Sequence, residues 1–80
     1  MIRYVLEYKS KEYPDSWNIA CEYLSSEFHE AKNDCLKYME FPLVIAARIV
    51  CVETTVARTE FGRCEKNDAG NVVKSGLLER

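Results

Sequence analysis

The chain has 80 residues, of which 48% are hydrophobic and 30% are charged. A chain of this length forms one small domain that buries only about 60% of the surface its unfolded state exposes, so a deep catalytic cleft is not expected. Its 11 basic residues are scattered among 13 acidic ones and leave a net charge of −2, which argues against direct nucleic-acid binding because that requires clustered Lys and Arg.

The first predicted element is a strand over residues 2–9, where apolar and polar side chains alternate as in a half-buried strand. A polar segment with Pro14 and Asp15 follows, and this pair favours a turn. A second alternating run then begins at Trp17. The two runs predict an antiparallel hairpin, whose core face on the first strand comprises Ile2, Tyr4, Leu6 and Tyr8.

The next predicted element is an amphipathic helix that begins after Ser25 or Ser26, either of which is a good N-terminal cap. Phe41-Pro42 ends it, because proline disfavours the helical conformation of the residue before it. One face of the helix is apolar. A neighbouring acidic stripe consists of Glu27, Glu30 and Asp34.

A long run rich in Val, Ile and Thr follows the helix, and it is too long for one ordinary strand. We therefore predict the final strand over residues 48–58 only. The fold class is therefore α+β: a compact β-β-α-β domain, an antiparallel sheet with one helix on one face, formed by residues 1–61. Residues 62–80 are expected to be a C-terminal tail or a short hairpin around Asn67 to Asn71. A mobile tail is favoured because few large apolar side chains lie beyond Cys64.

The four cysteines, Cys21, Cys35, Cys51 and Cys64, are separated by 14, 16 and 13 residues and form no C-x-x-C pair. The single His29 cannot complete a set of metal ligands, so no metal and no cofactor are expected. Two disulfides would suit a secreted chain. Reduced thiols that act as small core residues are the favoured alternative.

The start of the chain leads directly into a strand pattern, and no segment has the apolar length of a signal peptide core or a membrane-spanning helix. We therefore expect a cytoplasmic protein that does not associate with membranes.

No catalytic residues are predicted. His29 and Cys35 would face away from each other on the helix, so no proton-transfer pair results. Three kinds of residue are candidates for partner binding. The stripe of Glu27, Glu30 and Asp34 would either contact a basic protein surface or remain solvated. Trp17 would act as an interface anchor or pack in the core. Arg48 and Arg58 bracket the predicted final strand, where they would protect its edge or border a site for an added strand.

This order of elements resembles a group of small bacteriophage proteins that fold as β-β-α-β and inhibit a host machine. Over residues 2–58 the chain is similar to the short phage T7 inhibitor of bacterial RNA polymerase, in its strand end at Tyr23, its helix start at Phe28-His29-Glu30-Ala31 and its final strand with Arg48. In that inhibitor two alternating arginines on the final strand carry polymerase binding; Val50 stands where the second would be. Several small anti-CRISPR proteins are also similar in size, acidity and order of elements.

The resemblance implies a protein that binds a host complex and blocks it. Together with the residue patterns, it leads us to expect a non-enzymatic phage-type accessory protein, a monomer or homodimer, that binds a host protein with a basic surface. RNA polymerase and CRISPR effector complexes are the targets implied by the resemblance. The alternative is an assembly module that forms a homo-oligomer through its final strand.

Overall fold

The computed structural model describes residues 2–53 and 57–79. Within them the chain forms an α+β domain with one antiparallel sheet of five strands in the order β2-β1-β3-β4-β5. Short 3-10 turns precede the helix and follow the last strand, at Ser25–Glu27 and Leu77–Glu79. The main elements are β1 (Arg3–Ser10), β2 (Asn18–Leu24), α1 (Phe28–Tyr38), β3 (Val44–Val52), β4 (Arg58–Lys66) and β5 (Val72–Gly76).

The predicted hairpin is present as β1 and β2, which pair in antiparallel register. Leu6 is fully buried and Tyr4 and Tyr8 pack against the same core, which confirms the predicted core face except at Ile2, which is 43% exposed. Leu6 lies opposite Cys21 and Glu7 lies opposite Ile19, so the register shifts between them. A shift of this kind bends a strand and strengthens its local twist.

Helix α1 packs across one face of the sheet, with Ala31, Cys35 and Met39 buried against it. No side-chain cap comes from the two serines predicted for this role. Instead, the backbone N–H of Leu24 donates to Oε1 of Glu27 at 2.7 Å, which fixes the chain where it leaves β2. The helix ends at Tyr38, before Pro42.

The predicted final strand is wrong both in its residue range and in its location within the sheet. β3 ends at Val52 and lies at the centre of the sheet, paired with β1 on one side and β4 on the other. Arg58 begins β4 instead of ending the strand that carries Arg48. The β-β-α-β description therefore covers only part of the fold, and both edges of the predicted final strand are occupied.

The C-terminal segment takes part in the sheet. The division expected between residues 61 and 62 falls inside β4, and β4 and β5 form the hairpin that was the less favoured alternative for residues 62–80. Leu78, in the 3-10 turn after β5, is only 1% exposed and belongs to the main core cluster. Thus the end of the chain covers part of the core.

Two glycines permit this return of the chain. Gly76 has a φ of +62°, and a Cβ there would meet the backbone of Phe61 and Gly62. Gly62 lies opposite Gly76, and a Cβ on it would meet Leu78. Because neither position carries a side chain, the backbone of the turn after β5 approaches β4 closely enough for Leu78 to enter the core.

Candidate protein-binding surface

The sheet has a second face, opposite α1, which we call the open face. Strand registers and alternation assign its members from β1, β3 and β4, because directly paired residues in neighbouring strands share a face. These members are Arg3, Val5, Glu7, Lys9, Ala46, Arg48, Val50, Val52, Arg58, Glu60, Arg63 and Glu65.

Three valines form an apolar floor on the open face. Val5, Val50 and Val52 are buried and make a cluster separate from the core under α1. Long charged side chains surround them, and Arg58 lines two adjoining hollows of about 250 and 160 Å³. Long arginine stems can cover apolar surface while their charged heads stay in contact with water. The open face is thus an apolar floor with a charged rim.

Glu7 is the electrostatic centre of the open face. It is 4% exposed, and two arginines from different strands neutralise it. Arg48 donates from Nε and Nη2 to Oε1, each at 2.9 Å, and Arg58 donates from Nη2 to Oε2 at 2.9 Å. A buried carboxylate is tolerated when it is paired and hydrogen-bonded in this way. The three side chains therefore tie β1, β3 and β4 together.

A second group of charges extends the array along β4. Arg63 donates to Glu60 at 2.7 Å and to Glu65 at 2.7 Å. The hydrogen bond to Glu60, followed by that to Glu65, raises the pKa of Arg63 above its ordinary value. Nη1 of Arg48 also lies 3.4 Å from Glu60. Glu60 consequently links the buried pair at Glu7 to the more exposed charges of β4.

Trp17 lies at the end of this array, in contact with three cations. Cζ of Arg48 is 4.0 Å from the ring centroid, Nζ of Lys9 is 4.7 Å away and Cζ of Arg63 is 5.1 Å away. Cations at such distances are attracted by the negative face of an aromatic ring. The indole is held against the sheet but is only half-buried, so part of it remains accessible.

The sequence-predicted binding residues fall on two opposite surfaces. Trp17, Arg48 and Arg58 come together on the open face through the contacts described above. Glu27, Glu30 and Asp34 belong to the helical region on the other side of the sheet.

Two of the three acidic residues in the helical region already have partners within the chain. Glu27 accepts from the backbone of Leu24, and Asp34 accepts from the hydroxyl of Tyr23 at 2.7 Å. Burial, and next the bond to Asp34, raises the pKa of Tyr23 above its ordinary value. Glu30 remains exposed. The stripe is therefore less uniform than the sequence predicts.

Sequence reasoning missed Glu7, Glu60 and Arg63 as members of the surface. The alternation of the first strand already placed Glu7 opposite the core face, but it gave no sign that two arginines would bury it. Arg63 lay in the segment expected to be a tail. The available signal was an Arg-x-Glu pattern that occurs twice in β4, at Arg58 and Glu60 and again at Arg63 and Glu65.

Another hollow, of about 500 Å³, lies where β1 begins and β2 ends. It is lined by eight residues, Ile2, Arg3, Glu22, Tyr23, Leu24, Ser25, Ser26 and Glu27. Ile2 and Leu24 give it an apolar wall.

Among residues 2–53 and 57–79, no three His, Cys, Asp or Glu side chains are grouped so that they could hold a metal ion. In the same part of the chain, no helix is long and apolar enough to cross a membrane.

Comparisons of this chain with protein-family models, with curated proteins and with solved structures find no match.

Proposed function

We propose that the protein is a non-enzymatic binding module that occupies a surface of a host protein complex, in the manner of small phage-encoded inhibitors, and that it binds through the open face. The observation that carries this proposal is the half-buried Trp17 held among Lys9, Arg48 and Arg63. Trp and Arg are the residue types most enriched where protein interfaces gain their binding energy.

The organisation of the open face also supports a protein partner. Because the valine floor is already shielded from water, a docked protein would contact mainly Trp17 and the charged rim, and the rim would fix its orientation. Interfaces of the standard size bury about 800 Å² on each partner. One face of a domain with a total accessible surface of 5325 Å² is large enough to supply this area.

The exposed charges favour a partner of mixed charge, because the open face carries five basic and three acidic side chains. Two of its three carboxylates are accessible to a partner: the Glu60 side chain is 36% exposed and that of Glu65 is 50% exposed, whereas that of Glu7 is 6% exposed. Lys and Arg of a partner would pair with these two carboxylates, and its Asp and Glu would pair with Arg3 and Arg58, whose side chains are 54% and 48% exposed. Complementary charge of this kind mainly improves specificity and association rate.

A test of this proposal compares two surface variants in affinity capture from bacterial lysate, with quantitative mass spectrometry of the retained proteins. Trp17→Ala removes the proposed anchor, and Glu30→Lys reverses a charge on the helix at the opposite side of the sheet. We expect the wild type and Glu30→Lys to retain one stoichiometric host complex and Trp17→Ala to lose at least about tenfold in affinity, as for an interface anchor.

Circular dichroism of each variant verifies that it is folded before capture. If Glu30→Lys loses the complex while Trp17→Ala keeps it, the binding surface is the acidic helix and not the open face. If both variants keep the same complex, neither surface is used. Retention of no host protein by the wild type would overturn the host-binding proposal.

A second candidate function is self-assembly, which the exposed edge of β2 favours. β2 pairs with β1 alone in the described sheet, and its side chains Ile19 and Leu24 are 66% and 65% exposed. An exposed strand edge can pair with another chain. Light scattering distinguishes this candidate, since a dimer that persists on dilution supports it and a monomer at all concentrations contradicts it.

A further inference from the structure

Two buried cysteines from different elements meet in the core. Cys35 of α1 and Cys64 of β4 are each 0% exposed and belong to the same cluster of core residues. The two side chains lie near enough for each thiol to shift the pKa of the other. The helix and the fourth strand thus each contribute to this core a thiol, and two thiols can be oxidised to a disulfide.

The surroundings make the two thiols unequal. Lys74 of β5 lies directly opposite Cys64 in the β4–β5 register. The pKa of Cys64 is lowered, mainly by the hydrogen bond from Cys35. Burial raises this pKa, and the positive charge of Lys74 lowers it further. The same hydrogen bond and then burial raise the pKa of Cys35. Because the positive charge of Lys74 lies beside Cys64 and favours its thiolate, the first attack is assigned to Cys64.

We propose that Cys35 and Cys64 form a disulfide site, which reacts with a small-molecule disulfide such as oxidised glutathione and then links α1 covalently to β4. This site is independent of the binding surface, because both thiols lie under the helix and not on the open face.

The reaction is a pair of thiol–disulfide exchanges. The Cys64 thiolate attacks one sulfur of oxidised glutathione, which forms a mixed disulfide and releases one glutathione thiolate. Cys35 then loses its proton to solvent and attacks the Cys64 sulfur, which breaks the mixed disulfide and releases the second glutathione thiolate. The two protein thiols supply two electrons and two protons, and one oxidised glutathione becomes two reduced molecules.

Access to Cys64 requires a local opening of the sheet. β5 pairs only with β4 in the described sheet, and all five of its residues are exposed. Leu78 is the buried side chain of the 3-10 turn that follows β5. Segments with few buried contacts open at a lower free energy than the whole domain. Opening of β5 and this turn would expose Cys64 without unfolding β1, β2 or β3.

The test uses the full chain carrying Cys21→Ala, which removes the exposed thiol and its intermolecular disulfides. The reduced protein is incubated with oxidised glutathione, unfolded, alkylated and digested, and its disulfides are mapped by mass spectrometry without reduction. We expect one peptide pair joined through Cys35 and Cys64, with Cys51 alkylated. The oxidised protein should also have a higher Tm than the reduced protein, because the bond restricts the unfolded chain.

A Cys51→Ala variant is the matched control, because Cys51 is also buried and its removal should leave the Cys35–Cys64 bond intact. Three results would overturn the proposal: a bond that maps to another pair, a glutathione adduct on Cys64 that persists beside a free Cys35, or three alkylated thiols in the Cys21→Ala protein. To make the last result decisive, the incubation is repeated in urea just below the unfolding transition, where β5 opens more often.

Discussion

At the scale of single residues, Glu7 shows how a charge can be part of a sheet's interior. Its two carboxylate oxygens are bound separately, Oε1 by Arg48 and Oε2 by Arg58. Within the described residues, no buried side-chain nitrogen or oxygen lacks a hydrogen-bond partner. Such a pair adds little compared with apolar packing, but removal of one member leaves the other charges unpaired. Glu7 is therefore hard to replace.

Glu7→Gln tests this consequence, because it removes the charge and keeps the size of the side chain. We expect the free energy of unfolding to fall by about 3 kcal/mol, the usual cost of breaking a buried pair, as measured by urea denaturation. Glu22→Gln is the matched control. Glu22 binds Arg3 at 3.2 Å, with both side chains more than half exposed, so its loss should cost less than about 1 kcal/mol. Equal costs for the two variants would contradict the central role of Glu7.

At the scale of elements, the hairpin of β4 and β5 depends on a close approach of backbone at one point. Gly62 and Gly76 face each other there, and the chain then turns so that Leu78 reaches the core. β5 itself buries no side chain. Its position is consequently maintained by backbone pairing with β4 and by the buried leucine that follows it.

Gly76→Ala tests the close approach, and Gly70→Ala is its control. Both glycines have positive φ values, +62° and +82°, which cost an alanine about 1–2 kcal/mol. A Cβ at residue 76 would also meet the carbonyl oxygen of Phe61, whereas one at residue 70 has nothing within 4 Å. We expect Gly76→Ala to lower Tm clearly more than Gly70→Ala in a thermal scan. Similar decreases would mean that the backbone of β4 and β5 separates at little cost.

At the scale of the whole molecule, the core depends on residues near both ends of the chain. Leu6 of β1 and Leu78 after β5 are members of one buried cluster. Between them the chain contributes both the helix and the central strand β3. A five-stranded sheet covered by one helix therefore closes only when its last segment is in place.

Deletion of residues 62–80 tests this dependence, since it divides β4 and removes Cys64 and Leu78 from the core. We expect the shortened chain to lose near-UV circular dichroism and cooperative urea unfolding. Leu78→Ala is a milder comparison that should lose about 2–5 kcal/mol, as for other core truncations, and should still unfold cooperatively. A cooperative transition in the shortened chain would show that residues 1–61 fold independently.

The sequence predicts the first half of this fold better than the second. Alternation predicts β1 and β2, and the apolar spacing with Pro42 predicts α1. The boundary between β3 and β4 is harder to find, because no Gly or Pro occurs between Val52 and Arg58 and such residues are the usual signals of a turn. β5 lacks buried side chains, so no hydrophobic pattern indicates it.

The candidate site is predictable only in part for a similar reason. Trp17, Arg48 and Arg58 stand out by residue type, but their meeting depends on the order of strands. Arg48 is 41 residues from Glu7, and Arg58 is 51 residues from it. Local patterns contain no information on contacts at such separations. The burial of Glu7 follows from the pairing of β1 with β3 and of β3 with β4.

The position of Glu7 also affects how reliably the chain folds. A slip of one residue between β1 and β3 would turn every side chain of β1 to the opposite face. Glu7 would then enter the apolar layer beneath α1 without Arg48 or Arg58, while Leu6 would move out among the charges. An unpaired carboxylate in an apolar interior costs several kcal/mol. The ion pairs of Glu7 thus favour the native alignment of β1 and β3 over a register that is shifted by one residue.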